Sequence, residues 1–298
     1  MDDYVGCKIT RGSGWLKLTQ PVKLQRMKDE FGFDGRKSLS TPVKSGSVLA
    51  NDAIDSPKVS REESSRYTSV IGMMLHVCRN SRIDCMNPTR ECSSFMNDVR
   101  QACVVHMENM CNYILSTEDR GYMIKPEGPC KWDGTRDFLF KITGESNSDW
   151  AKDPSRRSVN SGCTFLIGAL IRMFSKQMAV VALSSTEAEL NAAVLTAQDM
   201  LMAYYIMKGL NLTVKLPMVL HVDNKGAVDL ANNWSVGGHT RHMGAKQNFL
   251  RELKEMGMIQ VIYKPGTEIV PDIGTKNVAQ KNLHKQTNKV MHPPLPVE

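Results

Sequence analysis

Apolar side chains recur every three to four positions through much of the first part of this chain. Tyr67, Ile71, Met74 and Leu75 form one stripe, residues 86–96 a weaker one, and Val104, Val105, Met107, Met110, Cys111, Ile114 and Leu115 a third. That spacing puts each set on one face of an amphipathic helix, and the many methionines make a pliable core. Upstream, residues 4–9 and 15–18 read as a hairpin around Arg11-Gly12-Ser13-Gly14, followed by a short helix over 20–31. Residues 38–60, rich in Ser, Pro, Asp and Lys, read as a surface linker.

From Trp132 the period changes. A turn at Asp133-Gly134 precedes alternation through Phe138, Phe140 and Ile142, which predicts a strand. Residues 163–167 and 170–174 predict two more, joined closely enough at Gly168-Ala169 to pair antiparallel. A long helix opens at Ser184, where Ser184 and Glu187 make a capping box, and Leu190, Ala193, Val194, Ala197, Leu201 and Tyr204 mark its packed stripe. Residues 218–222 form a buried strand ending in Asp223-Asn224. A basic helix over 241–256, a strand over 258–263 and a last turn holding Asp272 complete an α/β order, with a domain boundary near residue 130.

Two acids stand out from this layout. Glu187 has a capping duty, whereas Glu189 has none and lies at the margin of the buried stripe. Asp223 ends a buried strand, where α/β sheets commonly place a site. By periodicity alone both remain open to the blander reading of a solvated surface acid.

Composition narrows the classes. The chain has 298 residues, 41% hydrophobic and 23% charged, which is ordinary globular material long enough for two cored domains. No run suits a membrane span, and the first thirty residues, with Asp2, Asp3 and Lys8 interleaved, do not form a signal peptide, so an intracellular protein is expected, with nothing to choose between cytoplasm and nucleus. The eight cysteines include no C-x-x-C pair and read as buried free thiols rather than a zinc site or disulfide framework. Of the formal net charge of +7, +2 falls in residues 1–130 and +5 in 131–298, an asymmetry suited to a polyanionic partner. Met1-Asp2-Asp3 invites comparison with the Tyr-x-Asp-Asp metal site of polymerases, but no strand precedes it, and no polymerase activity is expected.

Several separated motifs carry a resemblance. Ser184-Ser-Thr-Glu-Ala-Glu189, Val222-Asp223-Asn224, Arg241-His242-Met243 and Pro271-Asp272-Ile273-Gly274-Thr275-Lys276 resemble, in order and spacing, the ribonuclease H domain of copia-type retrotransposon Pol polyproteins. Tyr4-Val-Gly-Cys-Lys-Ile9, Thr19-Gln20, Ser40-Thr41-Pro42, Tyr67 with Gly72, Arg82-Ile83-Asp84, and His106 with Tyr113 and Thr117 are similar to the region after the polymerase centre of the same family. The resemblance implies a C-terminal fragment of such a polyprotein in three parts: a mostly helical reverse-transcriptase thumb and connection remnant over 1–130, a ribonuclease H-like mixed five-stranded sheet with flanking helices over 131–278, and a tail over 279–298. It implies an ancestral reaction, hydrolysis of the RNA strand of an RNA/DNA hybrid, assisted by two Mg²⁺ ions held by carboxylates, with Glu189, Asp223 and Asp272 as ligands. RNA/DNA hybrid or another nucleic acid is the partner so implied, and the alternative is a relic that binds nucleic acid without catalysis.

One position departs from the family. Its domains begin with a strand reading Ser-Asp-x-Asp-Trp, whose first Asp bridges both ions, and here the stretch is Ser146-Asn147-Ser148-Asp149-Trp150. Asn147 keeps a carbonyl oxygen but loses the charge, which puts activity in doubt. Asp149 lies on the same strand face but roughly 6.5 Å further along, and can substitute only in part.

Overall fold

The computed structural model describes residues 3–35, 39–128, 132, 134, 138–233 and 244–297. Met1-Asp2, Asp133 of the expected turn and the Arg241-His242-Met243 motif lie outside the described residues. The chain forms two compact units, Met1–Ile124 with Lys276–Glu298, and Lys125–Thr275.

The first unit is built on the three expected helices, Arg61–Asn80, Met86–Ser93 and Gln101–Ser116. Ser60 opens the first with a reciprocal capping box to Glu63. Tyr67, Ile71, Met74, Met107, Met110 and Ile114 are fully buried, so the stripes are core. The hairpin pairs Cys7–Gly12 with Trp15–Thr19 and extends through Asp3–Tyr4, Gly121–Ile124 and Met291–His292 into a five-stranded antiparallel sheet. Two sequence expectations need correction. Over its described residues, 39–60, the expected surface linker is not one, since Val43, Leu49 and Ala53 are buried and Leu49–Ala53 is helical. Nor are residues 279–298 a loose tail: helix Gln280–Thr287 and strand Met291–His292 fold into this unit because Leu283, Val290 and Met291 are buried in it.

Inside the first unit, Arg82-Ile83-Asp84, Tyr113 and Thr117 converge on one buried network. Both Asp84 oxygens accept from Arg82, at 3.1 and 2.9 Å, and the Tyr113 hydroxyl donates to Asp84 at 2.9 Å. Arg82 also donates to the carbonyls of Ile114 and Thr117 and to the Thr117 hydroxyl. All seven described cysteines are buried and free.

The second unit holds a mixed five-stranded sheet of β1 (Ile142–Asp149), β2 (Val159–Leu166), β3 (Ala169–Gln177), β4 (Met218–Val222) and β5 (Ile259–Tyr263), in the spatial order β5-β4-β1-β2-β3. β1, β2 and β3 form an antiparallel meander, while β4 runs parallel to both β1 and β5. The helices are α1 (Ser185–Gly209), α2 (Lys225–Asn232), α3 (Gly244–Glu255) and α4 (Asp272–Thr275). The alternation through Phe138–Ile142 breaks at Lys141: Leu139–Phe140 pairs with Thr213–Val214, and Ile142 opens β1. β2 starts four residues earlier than its apolar stretch, because Val159, Asn160, Ser161 and Gly162 are buried on a covered strand although Asn160 and Ser161 are polar.

The long helix lies unusually close to the sheet. A β-carbon on Gly162 would meet the Thr196 hydroxyl at 2.1 Å, and one on Gly144 the Met200 sulfur at 2.4 Å. Only glycine admits this approach, which brings the first turns of α1 down onto β1. No helix among the described residues is long and apolar enough to cross a membrane.

Candidate functional site

Four of the five candidate residues lie on or beside the stretch 146–148 of β1, next to the end of β4. Parallel pairing sets Ser146 opposite Val222, so Asn147 and Asp223 are the next residues along adjacent strands. Asp223 leaves the strand there, and Asn224 caps α2 by accepting from the Ala227 amide at 2.9 Å. The backbone at Gly266 packs directly on Asp223: a β-carbon at that glycine would lie 2.7 Å from its Oδ2.

Glu189 comes down from α1 on the opposite face of β1. It is buried, and its Oε1 accepts the Ser148 amide at 2.9 Å. Its neighbour Glu187 takes the expected cap only in half. The Ser184 hydroxyl accepts the Glu187 amide at 3.1 Å, but the Glu187 carboxylate turns to the Leu183 amide at 2.7 Å instead of that of Ser184.

Asp272, also buried, opens α4. Asn147 Nδ2 donates to Asp272 Oδ1 at 2.9 Å and to the Thr275 hydroxyl at 3.2 Å, and that hydroxyl donates back to the Asp272 carbonyl at 3.0 Å. Asn147 thus presents a hydrogen-bond donor, not a second anion, to the carboxylate facing it. Asp149, two residues on, pairs with Lys152 at 3.1 Å at the mouth of the loop. Among the described residues no group of three or more His, Cys, Asp or Glu side chains is placed to hold a metal ion.

One contributor escaped the sequence reading. Glu145, buried in the middle of β1, accepts Lys264 Nζ at 2.6 Å and the Val270 amide at 2.8 Å. It thereby ties the segment 264–270, which carries Gly266 and leads to Asp272, to the central strand. A lone acid two positions before Asn147, hence on the same face, was the available signal. His221 is the cross-strand neighbour of Glu145, and its imidazole is held below its ordinary range by burial, with Lys264 and Lys141 adding and Glu145 opposing.

The basic helix has a different use from the one its charges suggest. Arg251 donates to the carbonyls of Leu230 and Asn233, and Lys254 Nζ to that of Asn232 at 2.6 Å. Both satisfy the open carbonyl end of α2 and are committed to structure.

No family model matches the chain. Over 284 residues, 94% of its length, it is 26% identical to a retrovirus-related Pol polyprotein from transposon TNT 1-94 of Nicotiana tabacum, and it spans 20% of that protein. Over 294 residues it is 22% identical to the corresponding polyprotein from transposon RE1 of Arabidopsis thaliana, spanning 19% of it. The chain therefore covers about a fifth of these relatives. Among solved structures it is similar to the N-terminal RNase H domain of a Mycobacterium tuberculosis protein, solved as a fusion with maltose-binding protein. That similarity has 10% identity and a TM-score of 0.35 over 50% of this chain and 96% of that one.

Proposed function

We propose that this chain, which aligns over most of its length with retrovirus-related Pol polyproteins of copia-type transposons, is a ribonuclease H-like module that binds RNA/DNA hybrid or a related duplex without cleaving it. The observation that carries this reading is the 2.9 Å hydrogen bond from Asn147 Nδ2 to Asp272 Oδ1. A magnesium centre takes oxygen donors, and Glu189, Asp223 and Asp272 supply them. Beside Asp272, Asn147 supplies no negative charge, and its N–H is engaged by the Asp272 carboxylate and the Thr275 hydroxyl. The residues present do not fit a two-ion centre, and hydrolysis by that route is not expected of this chain. The metal-dependent cleavage of the RNA strand is the reading of second rank, favoured by the three retained acids.

Duplex binding is supported by the fold, by the Pol relatives and by the +5 charge of residues 131–298. Contacts to phosphates release counterions, so affinity falls as salt rises. Fluorescence anisotropy on a labelled hybrid should show binding at low salt that weakens on the order of tenfold or more between roughly 50 and 200 mM salt. Binding that is absent at low salt, or flat across the series, would overturn the proposal.

A further inference from the structure

Beyond Asp149 the chain turns through the loop 150–158 before β2, and this loop is both aromatic and basic. Trp150 is 46% exposed, yet its indole Nε1 donates to the Ala182 carbonyl at 3.1 Å. The ring is therefore fixed along one edge while much of its surface stays open. Asp153 fixes the rest of the loop, accepting the Ser155 amide on its side chain at 2.8 Å and the Arg156 amide on its carbonyl at 2.7 Å. Arg156 and Arg157, next in sequence, are fully on the surface.

The segment that receives the Trp150 hydrogen bond is itself out of the ordinary. Met178 and Ala182 turn inward and pack with Ala188, leaving Val180, Val181 and Leu183 exposed at 65%, 46% and 72%. Large aliphatic side chains on consecutive solvent-facing positions beside a half-open tryptophan form an apolar platform. Two exposed arginines, Arg156 and Arg157, follow in the same loop as Trp150, and the platform lies at the same end of β1 as Asn147, about 10 Å further along the strand direction.

We infer that Trp150, with Val181 and Leu183 beside it and Arg156 and Arg157 in the same loop, is a stacking platform for unpaired bases, so that this chain favours a hybrid carrying a single-stranded extension over a blunt one. A paired duplex presents phosphates and groove edges, to which an apolar aromatic face adds little. An unpaired strand offers base faces to the ring and phosphates to the arginines, and this combination is the one that single-strand sites use. The inference rests on the duplex-binding reading and adds where the strand continues and in what form.

The test compares a blunt RNA/DNA hybrid with the same hybrid bearing an extension of about six nucleotides, in the range that one such site engages. The extended hybrid should bind on the order of tenfold more tightly to the unmodified protein. Trp150→Ala should abolish that difference and leave blunt-hybrid affinity unchanged, whereas Trp150→Phe, which keeps a stacking face but loses the indole donor, should retain most of it. Circular dichroism of both variants checks folding, and Trp150→Phe keeps the test intact where the alanine variant does not fold. Equal binding of blunt and extended hybrids by the unmodified protein overturns the inference and leaves the duplex reading standing. Failure to bind either one overturns both. A Trp150→Ala change that converts a sedimenting dimer to a monomer while the preference for the extension persists also overturns it, and gives the platform to a second copy of the chain.

Discussion

Asn147→Asp protein should cleave the RNA strand of a hybrid with Mg²⁺ at least about a thousandfold faster than the unmodified chain. The two side chains are nearly isosteric, so packing among Asp272, Thr275 and β1 is kept while the donor facing Asp272 becomes a carboxylate. Opposite unit charges ~4 Å apart are worth about 4 kcal/mol at an effective dielectric near 20, which is about three powers of ten in a rate or an occupancy. With chelator present the new anion faces Asp272 across hydrogen-bonding distance, and the variant should melt below the unmodified protein. Added Mg²⁺ should reverse that loss, because it binds the folded form alone. A second change, Asp223→Asn, should remove the gained activity, since both acids would act through the same ions. A folded Asn147→Asp protein that stays inactive would mean that the site fails elsewhere than at residue 147.

Asp84→Ala should lower the unfolding free energy of the first unit by about 3–5 kcal/mol, the usual result of removing one member of a buried ion pair. Arg82 and Asp84 are 1% and 2% exposed, and Arg120 is buried too, so the change strands two cations for which Asp84 is the counter-charge. Burial alone would push the Asp84 carboxyl up, but the charge and hydrogen bonds of Arg82, with Arg120 and the Tyr113 hydroxyl, outweigh it and hold the group below the ordinary carboxylate value. Its contribution is therefore complete above the unfolded carboxylate pKa of about 3.9 and is lost as pH falls through the lower folded value. Urea unfolding should show the full deficit at neutral pH, and the curves of variant and unmodified protein should converge in acid. A deficit under about 1 kcal/mol at neutral pH, the size of an exposed pair, would contradict the buried network.

That network shows what the sequence could and could not disclose. Arg82, Asp84, Tyr113 and Thr117 were visible only as scattered motif residues, because nothing local connects a turn at 82–84 with one helix face thirty residues later. The helices, by contrast, were legible from their stripes, as their apolar faces are their reason for forming. By periodicity β1 was nearly invisible, and only the family motif at 146–150 marked it: Gly144-Glu145-Ser146-Asn147-Ser148 has no alternation, since the strand is covered on both faces and its side chains serve polar contacts and close helix approach rather than packing. Glu189, Asp223 and Asp272 could be picked out by motif; in the fold Glu189 accepts the Ser148 amide, Asp272 meets Asn147, and Asp223 follows the end of the strand beside β1. Arg251 and Lys254 have carbonyl partners at the end of α2, a contact made only in the folded unit and announced by no local pattern. Glu145 was missed for the same reason, as its value lies in holding segment 264–270, which is remote in sequence.

Single-turnover incubation of the unmodified protein with a hybrid labelled on its RNA strand, at a protein concentration where anisotropy shows the hybrid fully bound, tests the central claim most directly. In Mg²⁺ and again in Mn²⁺, the expected result is a bound hybrid whose RNA strand stays intact. Brisk cleavage by the unmodified chain would contradict it, showing that Asn147 does not stand at the metal-bridging position and passing that role to Asp149.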